Sequence, residues 1–277
     1  MPLTPSETRK VLNLLGHRPK KKLGQNFLID GNIVQKSIDL SNLEAPSEVL
    51  EIGPGLGTLT EGLLKQGHRV HAVEVDKRLA GYLEEKFSDW IKNNLLTLTV
   101  ADAVKFPTGP FMESGRDFEV VANLPYAISS NWLEGVLGGK NLPQRMTLML
   151  QKEASDRMWS SPGSKNYNAL SIFLSATFEL ISSHPVSRNC FYPVPAIDSV
   201  LIHMKKVNQP FLFSERSRHL IRKIFTKRRK QMGKIIKQED DSVQQSLNQW
   251  IKEANLCTSL RPEEIEAEKW RKLADLI

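Results

Sequence analysis

The 277-residue chain has only two cysteines, Cys190 and Cys257, and their spacing matches no metal-binding or redox pair. Its six histidines are scattered. Neither a metal centre nor a disulfide framework is expected, and a reducing, cytoplasmic setting fits the cysteine usage. No apolar run approaches the roughly 18 residues of a membrane-crossing helix, and the first residues are too polar for a secretory signal. The pattern G-x-x-x-x-G-K-[ST] is missing, which argues against a nucleoside triphosphatase. Internal repeats and low-complexity segments are missing too. What is present, 40% hydrophobic and 25% charged residues, describes an ordinary soluble protein long enough for one large domain and a small one.

The net charge of +7 is unevenly placed. Residues 1–204 hold 21 basic and 21 acidic side chains, whereas residues 205–277 hold 17 and 10, so the whole excess lies in the tail. That asymmetry points to a polyanionic partner. A second basic group, Arg9, Lys10, Arg18, Lys20, Lys21 and Lys22, has no acid between Arg9 and Lys22. Either group alone reads as a solvated face; two of them flanking one pocket read as a nucleic-acid footprint.

Taken in order, Ser6 to Leu15 suits a short helix, and Lys22-Leu23-Gly24-Gln25-Asn26-Phe27-Leu28-Ile29-Asp30 has no clean period and reads as a segment that folds over something, or as a capped helix start. Glu48 to Ile52 is a strand running into Gly53-Pro54-Gly55-Leu56-Gly57-Thr58 and then a helical pattern. Strand, glycine turn and helix make a nucleotide-type loop, in which Gly53, Gly55 and Gly57 let a ligand approach the backbone. The spacing is G-x-G-x-G, so the dinucleotide fingerprint fits imperfectly. Arg69 to Glu74 reads as a second strand ending in an acid where a carboxylate can take ribose hydroxyls, with Asp76 capping a helix from Lys77 to Trp90. A third strand, Leu96 to Val100, leads to Asp102. Each acid alone reads equally well as a cap. Their recurrence at successive strand ends, where ligands of open α/β sheets sit, favours a site.

The centre of the chain is Val120-Val121-Ala122-Asn123-Leu124-Pro125-Tyr126, an apolar strand broken by an amide, a proline and an aromatic. The plain alternative is a strand followed by a proline turn. As a site it offers hydrogen-bond acceptors and a flat face to an aromatic amine. Beyond it come a helix from Ser130 to Leu137, a strand from Met146 to Leu150, a helix from Gln151, an ambiguous stretch Leu170 to Leu180, a proline-rich loop Pro185 to Ile197, and a strand Asp198 to Met204. Phe191 and Tyr192 on that loop suit either a base clamp or anchoring in the core. After Lys206 only helices are expected: a basic one within 214–237, then Ser242 to Ala254 and Pro262 to Ala274.

In combination, Lys22 to Leu28, Glu51 to Gly57, Glu74, Asp102, Asn123 to Tyr126, Gln151-Lys152-Glu153, Phe191 to Pro195 and the tail Lys227-Arg228-Arg229-Lys230 resemble the KsgA-type ribosomal RNA adenine dimethyltransferases over nearly the whole chain. Asn131 stands where that family commonly has proline and Asn168 where it has glycine, departures that touch only local backbone. The resemblance implies an α/β fold, a Rossmann-like class I methyltransferase sheet, mostly parallel with the last strand antiparallel, plus a small C-terminal helical domain. It implies a lead-in at 1–21, a methyltransferase domain at 22–206 and a basic RNA-binding domain at 207–277.

The implied cofactor is S-adenosyl-L-methionine, held by Asn26, Leu28, Gly53, Glu74, Asp102 and Asn123, with Gly55 and Gly57 in the glycine loop. Asn123, Leu124, Pro125 and Tyr126 would form the catalytic edge, with Phe191 covering the flipped base. Lys20, Lys21, Lys22, Arg222, Lys223, Lys227, Arg228, Arg229 and Lys230 would meet RNA. The implied reaction is N6,N6-dimethylation of two adjacent adenosines in the 3′-terminal hairpin loop of 16S ribosomal RNA within an immature small subunit, by a monomeric enzyme without a membrane partner. The alternatives are a macrolide-resistance methyltransferase acting on the large subunit and a non-enzymatic assembly factor.

Overall fold

The structure, a computed structural model, describes residues 3–20 and 23–277. The expected lead-in helix is α1 (Pro5–Leu14), started by a capping box in which Thr4 and Glu7 satisfy each other's backbone N–H groups. After it come β1 (Phe27–Leu28), α2 (Gly31–Ser41), β2 (Glu48–Ile52), α3 (Thr58–Lys65), β3 (Arg69–Glu74), α4 (Lys77–Lys86), α5 (Ser88–Lys92), β4 (Leu96–Val100), β5 (Glu119–Asn123), α6 (Ser129–Gly138) and β6 (Arg145–Gln151). The chain continues through α7 (Lys152–Met158), α8 (Ala169–Ser175), β7 (Phe178–Val186), β8 (Phe191–Tyr192), β9 (Ser199–Lys206), α9 (Glu215–Phe225), α10 (Met232–Ile236), α11 (Asp241–Glu253) and α12 (Ala267–Ala274).

Seven strands form one sheet in the order β4-β3-β2-β5-β6-β9-β7. Neighbours from β4 to β6 are parallel, and β9 runs antiparallel to β6, pairing Arg145 with Lys205 through to Gln151 with Ser199. The inner strands read as continuous apolar runs because helices cover both faces of such a sheet; Val49, Leu50, Val120, Val121 and Leu148 are all fully buried. Strand order reverses between β2 and β5. Their pairing covers only Val49 with Glu119 and Leu50 with Val120, while β5 stays paired with β6 as far as Asn123 and Met149. The carboxyl ends of β2 and β5 therefore part, and a crevice opens at the switch point of the sheet.

Beside the sheet lies a two-stranded ribbon: Phe27 pairs with Tyr192 and Leu28 with Phe191, antiparallel. The aperiodic segment from Leu23 does fold over the rest, held by this ribbon. Leu12 of α1 packs with Phe27, Leu56 and Leu79 in a small separate core.

The chain divides into two compact units, Met1–Ser155 with Leu180–Lys206, and Asp156–Glu179 with Val207–Ile277. The expected single boundary after residue 206 is thus corrected: the chain enters the helical unit twice. The reason is α8, whose residues Ala169 to Leu174 are all buried and need cover on every side. Within the helical unit, Phe173 of α8 meets Phe213 with ring centroids 5.1 Å apart, and Trp250 meets Trp270 at 4.8 Å.

Three helices expected to be continuous are not. The helix expected from Lys77 to Trp90 breaks at Phe87, which leaves helical torsions and buries its ring. The basic run of 214–237 is α9, a turn over 226–230 and the short α10. Pro262–Glu264 forms a 3-10 turn ahead of α12. The proline-rich loop also holds more regular structure than its composition suggests, since β7 reaches Val186 and β8 falls within it.

Candidate active site

The crevice holds a cavity of about 280 Å³, walled by the Leu23–Leu28 segment, the ends of β2, β3 and β5, and the turn after β4. Asn26, Leu28, Gly53, Gly55, Glu74, Asp102, Asn123, Leu124, Pro125 and Tyr126 all line it. Residues scattered over a hundred positions of sequence are brought together because every parallel strand ends on the same side of the sheet.

Each carboxylate is held differently. Glu74, buried at the end of β3, accepts the main-chain N–H of Gly55 at 3.3 Å on one oxygen and that of Asp76 at 2.9 Å on the other. Burial raises its pKa, and these two bonds oppose the rise. Asp102 is exposed and uses one oxygen to take the Val104 N–H at 2.9 Å, which closes the turn after β4. Glu51 on β2 also lines the cavity, a site residue beyond those expected from the sequence. It is 2% exposed and accepts the Thr60 hydroxyl at 2.6 Å. Burial pushes its carboxyl up to about 8, so it is largely protonated at neutral pH. An acid two residues before the first glycine, set between the apolar Leu50 and Ile52, is the available signal.

Asn123 closes β5. Its amide Nδ2 donates to the Asn26 carbonyl at 3.0 Å, and the Asn26 amide donates to the Gly24 carbonyl at 3.2 Å. The bond commits the nitrogen of Asn123 to the protein and leaves its oxygen as an acceptor. Gly24 adopts φ +63°, and a Cβ there would sit 2.8 Å from the Ala127 nitrogen and 2.9 Å from the Tyr126 nitrogen. Only glycine allows the two walls to approach so closely. The Tyr126 hydroxyl bonds to Ser199 Oγ at 2.5 Å, and burial pushes the phenol up to about 12, so it stays neutral.

Two sequence expectations are relocated. Gly57 does not line the cavity; at φ +75° it faces the Phe87 and Leu83 side chains, and its role is to let α3 start against α4. Phe191 is fully buried in the core with Leu28, Val34 and Val186 and lies outside the cavity lining. Its pairing with Leu28 turns the ring inward, where it meets Tyr126 edge-on with centroids 6.5 Å apart. It therefore supports Tyr126 and does not cover a base in this arrangement.

The basic residues separate into engaged and free. Lys20 Nζ donates to Asp76 at 2.6 Å, while the buried His17 bonds Gln25 at 3.0 Å, so the lead-in is fastened to the cavity wall. Lys21 and Lys22 lie outside the described residues. Lys223 and Lys227 both pair with the buried Glu239, the latter at 3.6 Å. Arg228 pairs with Glu263 at 3.6 Å and donates to the Lys165 carbonyl. Arg222 lies over the Phe173 ring, 5.7 Å from its centroid. Arg229 and Lys230 are exposed on the turn after α9, which with Phe225 to Arg228 lines a basic concavity. Among the described residues no group of histidines, cysteines and acids could hold a metal ion, and no helix is long and apolar enough to cross a membrane.

Comparison with known proteins adds a family to this geometry. The profile described as ribosomal RNA adenine dimethylase matches residues 16–270. Ribosomal RNA small subunit methyltransferase A of Opitutus terrae is 44% identical over 274 residues, covering 99% of this chain and 98% of its own. The protein of the same name from Chlamydia felis is 38% identical, covering 98% and 93%. Among solved structures, a dimethyladenosine transferase from Plasmodium falciparum superposes with a TM-score of 0.70 at 24% identity, over 89% of this chain and 95% of that one. The 23S rRNA methyltransferase ErmE gives 0.63 at 23%, over 91% and 99%. These two likenesses bear on the fold alone.

Proposed function

Since the chain belongs to the ribosomal RNA adenine dimethylase family, we propose that it transfers methyl groups from S-adenosyl-L-methionine to the N6 amines of two adjacent adenosines in the 3′-terminal hairpin loop of 16S ribosomal RNA, acting as a cytoplasmic monomer on an immature small subunit. The observation that carries the reading is the Asn123–Tyr126 turn lining the cavity, with the Asn123 amide nitrogen fixed on Asn26.

The residues fit the cofactor. Three carboxyl groups and the glycine turn line the cavity, and its described lining has no lysine, arginine or histidine, which suits a cationic ligand bearing ribose and adenine. Glu74 would take the ribose hydroxyls, Asp102 the adenine amine, and Asn26, Leu28, Gly53, Gly55 and Asn123 the remainder. The cofactor supplies a methyl group already activated on a sulfonium, so the protein has chiefly to align the incoming amine.

Asn123 does the aligning. Its oxygen and the Leu124 carbonyl accept the two N–H bonds of the target amine, and this draws the nitrogen lone pair out of the ring toward the methyl group. After one transfer a single N–H remains, so the second transfer proceeds with one acceptor fewer. Pro125 sets the turn. Tyr126 gives the flipped base a flat face to stack on; its neutral phenol, tied to Ser199, is a platform and not a base. Arg229 and Lys230 would meet phosphates, with the engaged basic residues of the same helical unit adding to their field, and Lys20 would offer RNA a contact of its own.

The deciding experiment is methyl transfer to isolated small subunits that lack the modification, followed by mapping of the modified nucleotides. Dimethylation of two adjacent hairpin adenosines is expected; transfer to large subunits instead overturns the substrate. Asn123→Ala is expected to lower kcat by at least about 100-fold, on the scale of lost transition-state positioning. Because Asn123 also anchors Asn26, cofactor binding by the variant has to be measured beside its turnover.

A further inference from the structure

The cavity's charge is one-sided: Glu51, Glu74 and Asp102 line it, and among the described lining residues there is no lysine, arginine or histidine. Glu74 and Asp102 already receive main-chain N–H groups. Glu51, buried like Glu74 and like it without a cation in contact, is the one whose hydrogen bonds come from Thr60 alone. Thr60 of α3 supplies its hydrogen bond at 2.6 Å. The charged groups that bear on it from neighbouring elements are Glu74 of β3 and Lys86 of α4. The Lys86 ammonium is itself held by the Leu56 carbonyl at 3.0 Å and lies 3.7 Å from Glu61.

On the reading that this cavity holds S-adenosylmethionine, its occupant changes charge during turnover. The methyl donor carries a sulfonium, an ammonium and a carboxylate, one net positive charge; the thioether product has lost the sulfonium charge and is neutral overall. A positive charge entering the cavity favours the ionised form of a buried carboxyl group that lines it. We propose that Glu51 gauges the charge of the bound cofactor, releasing its proton to solvent when the sulfonium form binds and recovering one when the neutral thioether is left. The cavity then holds donor in preference to spent product increasingly as pH rises. Glu51 has a proton to give, since burial keeps it largely protonated near pH 7 in the free protein. The preference grows up to about pH 8 and levels off above it.

The test is titration calorimetry of the full-length protein without RNA, in phosphate and in Tris, with three ligands. These are S-adenosylmethionine, S-adenosylhomocysteine, and sinefungin, whose protonated amine replaces the sulfonium. Protons released on binding follow from the difference between buffers. Release with the two cationic ligands and little with S-adenosylhomocysteine is expected. The Kd ratio of product to donor should rise between pH 6.5 and 8, by roughly tenfold for each unit that the bound cation lowers the carboxyl group. Glu51→Gln, which keeps an acceptor for Thr60, should abolish both the extra release and the pH dependence. Equal proton counts for the three ligands, or a wild-type difference persisting in Glu51→Gln, would overturn the proposal. If Glu51→Gln does not fold, Glu74→Gln should keep the extra release seen with the cationic ligands, and its loss there would overturn the proposal. Failure of wild-type protein to bind any of the three would overturn the cofactor reading along with it.

Discussion

Glu51 shows how a single side chain can trade stability for a chemical property. Its carboxyl is pushed up to about 8 from an ordinary 4.5, so the folded state holds a proton that the unfolded chain gives up as pH rises. Its contribution is favourable below about pH 4.5, is lost progressively between there and pH 8, and is constant above. Glu51→Gln should accordingly stabilise the protein more at pH 8.5 than at pH 6, by on the order of a few kcal/mol at the higher pH. Urea titrations of variant and wild type at both values check the sign. The acid was visible in the sequence, but its burial was not: that depends on the cover given by α3, which a pattern of strand residues does not report. Phe191 is the reverse case. Its motif was legible, yet whether the ring meets a base or the core is decided by its pairing with Leu28, a contact between distant segments.

At the level of elements, the approach of the Gly24 segment to the Tyr126 turn sets the width of the site. Gly24→Ala places a methyl against two main-chain nitrogens at a positive φ, so neither side can yield by a rotamer change. A destabilisation of about 1–3 kcal/mol is expected from that strain. Turnover should fall further than stability does, because the Tyr126 platform is displaced. Comparing kcat and thermal unfolding of the variant separates the two effects. The strands of the sheet could be read from their apolar runs and terminal acids. Helix limits are less legible at Phe87 and at residues 226–230, because one helix ends where a ring is buried and the other within a run of basic residues, and neither leaves a glycine or proline as a mark.

For the molecule as a whole, the excess positive charge belongs to the tail, but only part of it is free. Lys223 and Lys227 neutralise the buried Glu239, and Arg228 serves Glu263. Arg229→Ala with Lys230→Ala should therefore weaken RNA binding with little loss of stability, lowering the slope of log affinity against log salt by roughly 0.7 to 0.9 per residue. Lys223→Ala should instead lower stability, since it leaves Glu239 with less compensation in the interior. Binding at several salt concentrations together with unfolding curves tells the two classes apart. Counting charges located the basic unit; it could not say which charges were already in use. The unit boundary was missed for a similar reason, because α8 is claimed by the tail helices through packing and not through composition.

The β1–β8 ribbon joins the segment that walls the cavity to residues made much later in the chain. While the protein is being synthesised, Phe27 has no strand partner until Tyr192 has emerged, and β6 stands at the margin of the sheet until β9 arrives. The glycine turn and the Asn123 edge are complete long before that moment, and until then the wall opposite them is held by its hydrogen bonds and packing without a strand partner. The wall of the cavity thus gains its last backbone support late in the life of the nascent chain, once nearly all of the sheet-forming sequence has been translated.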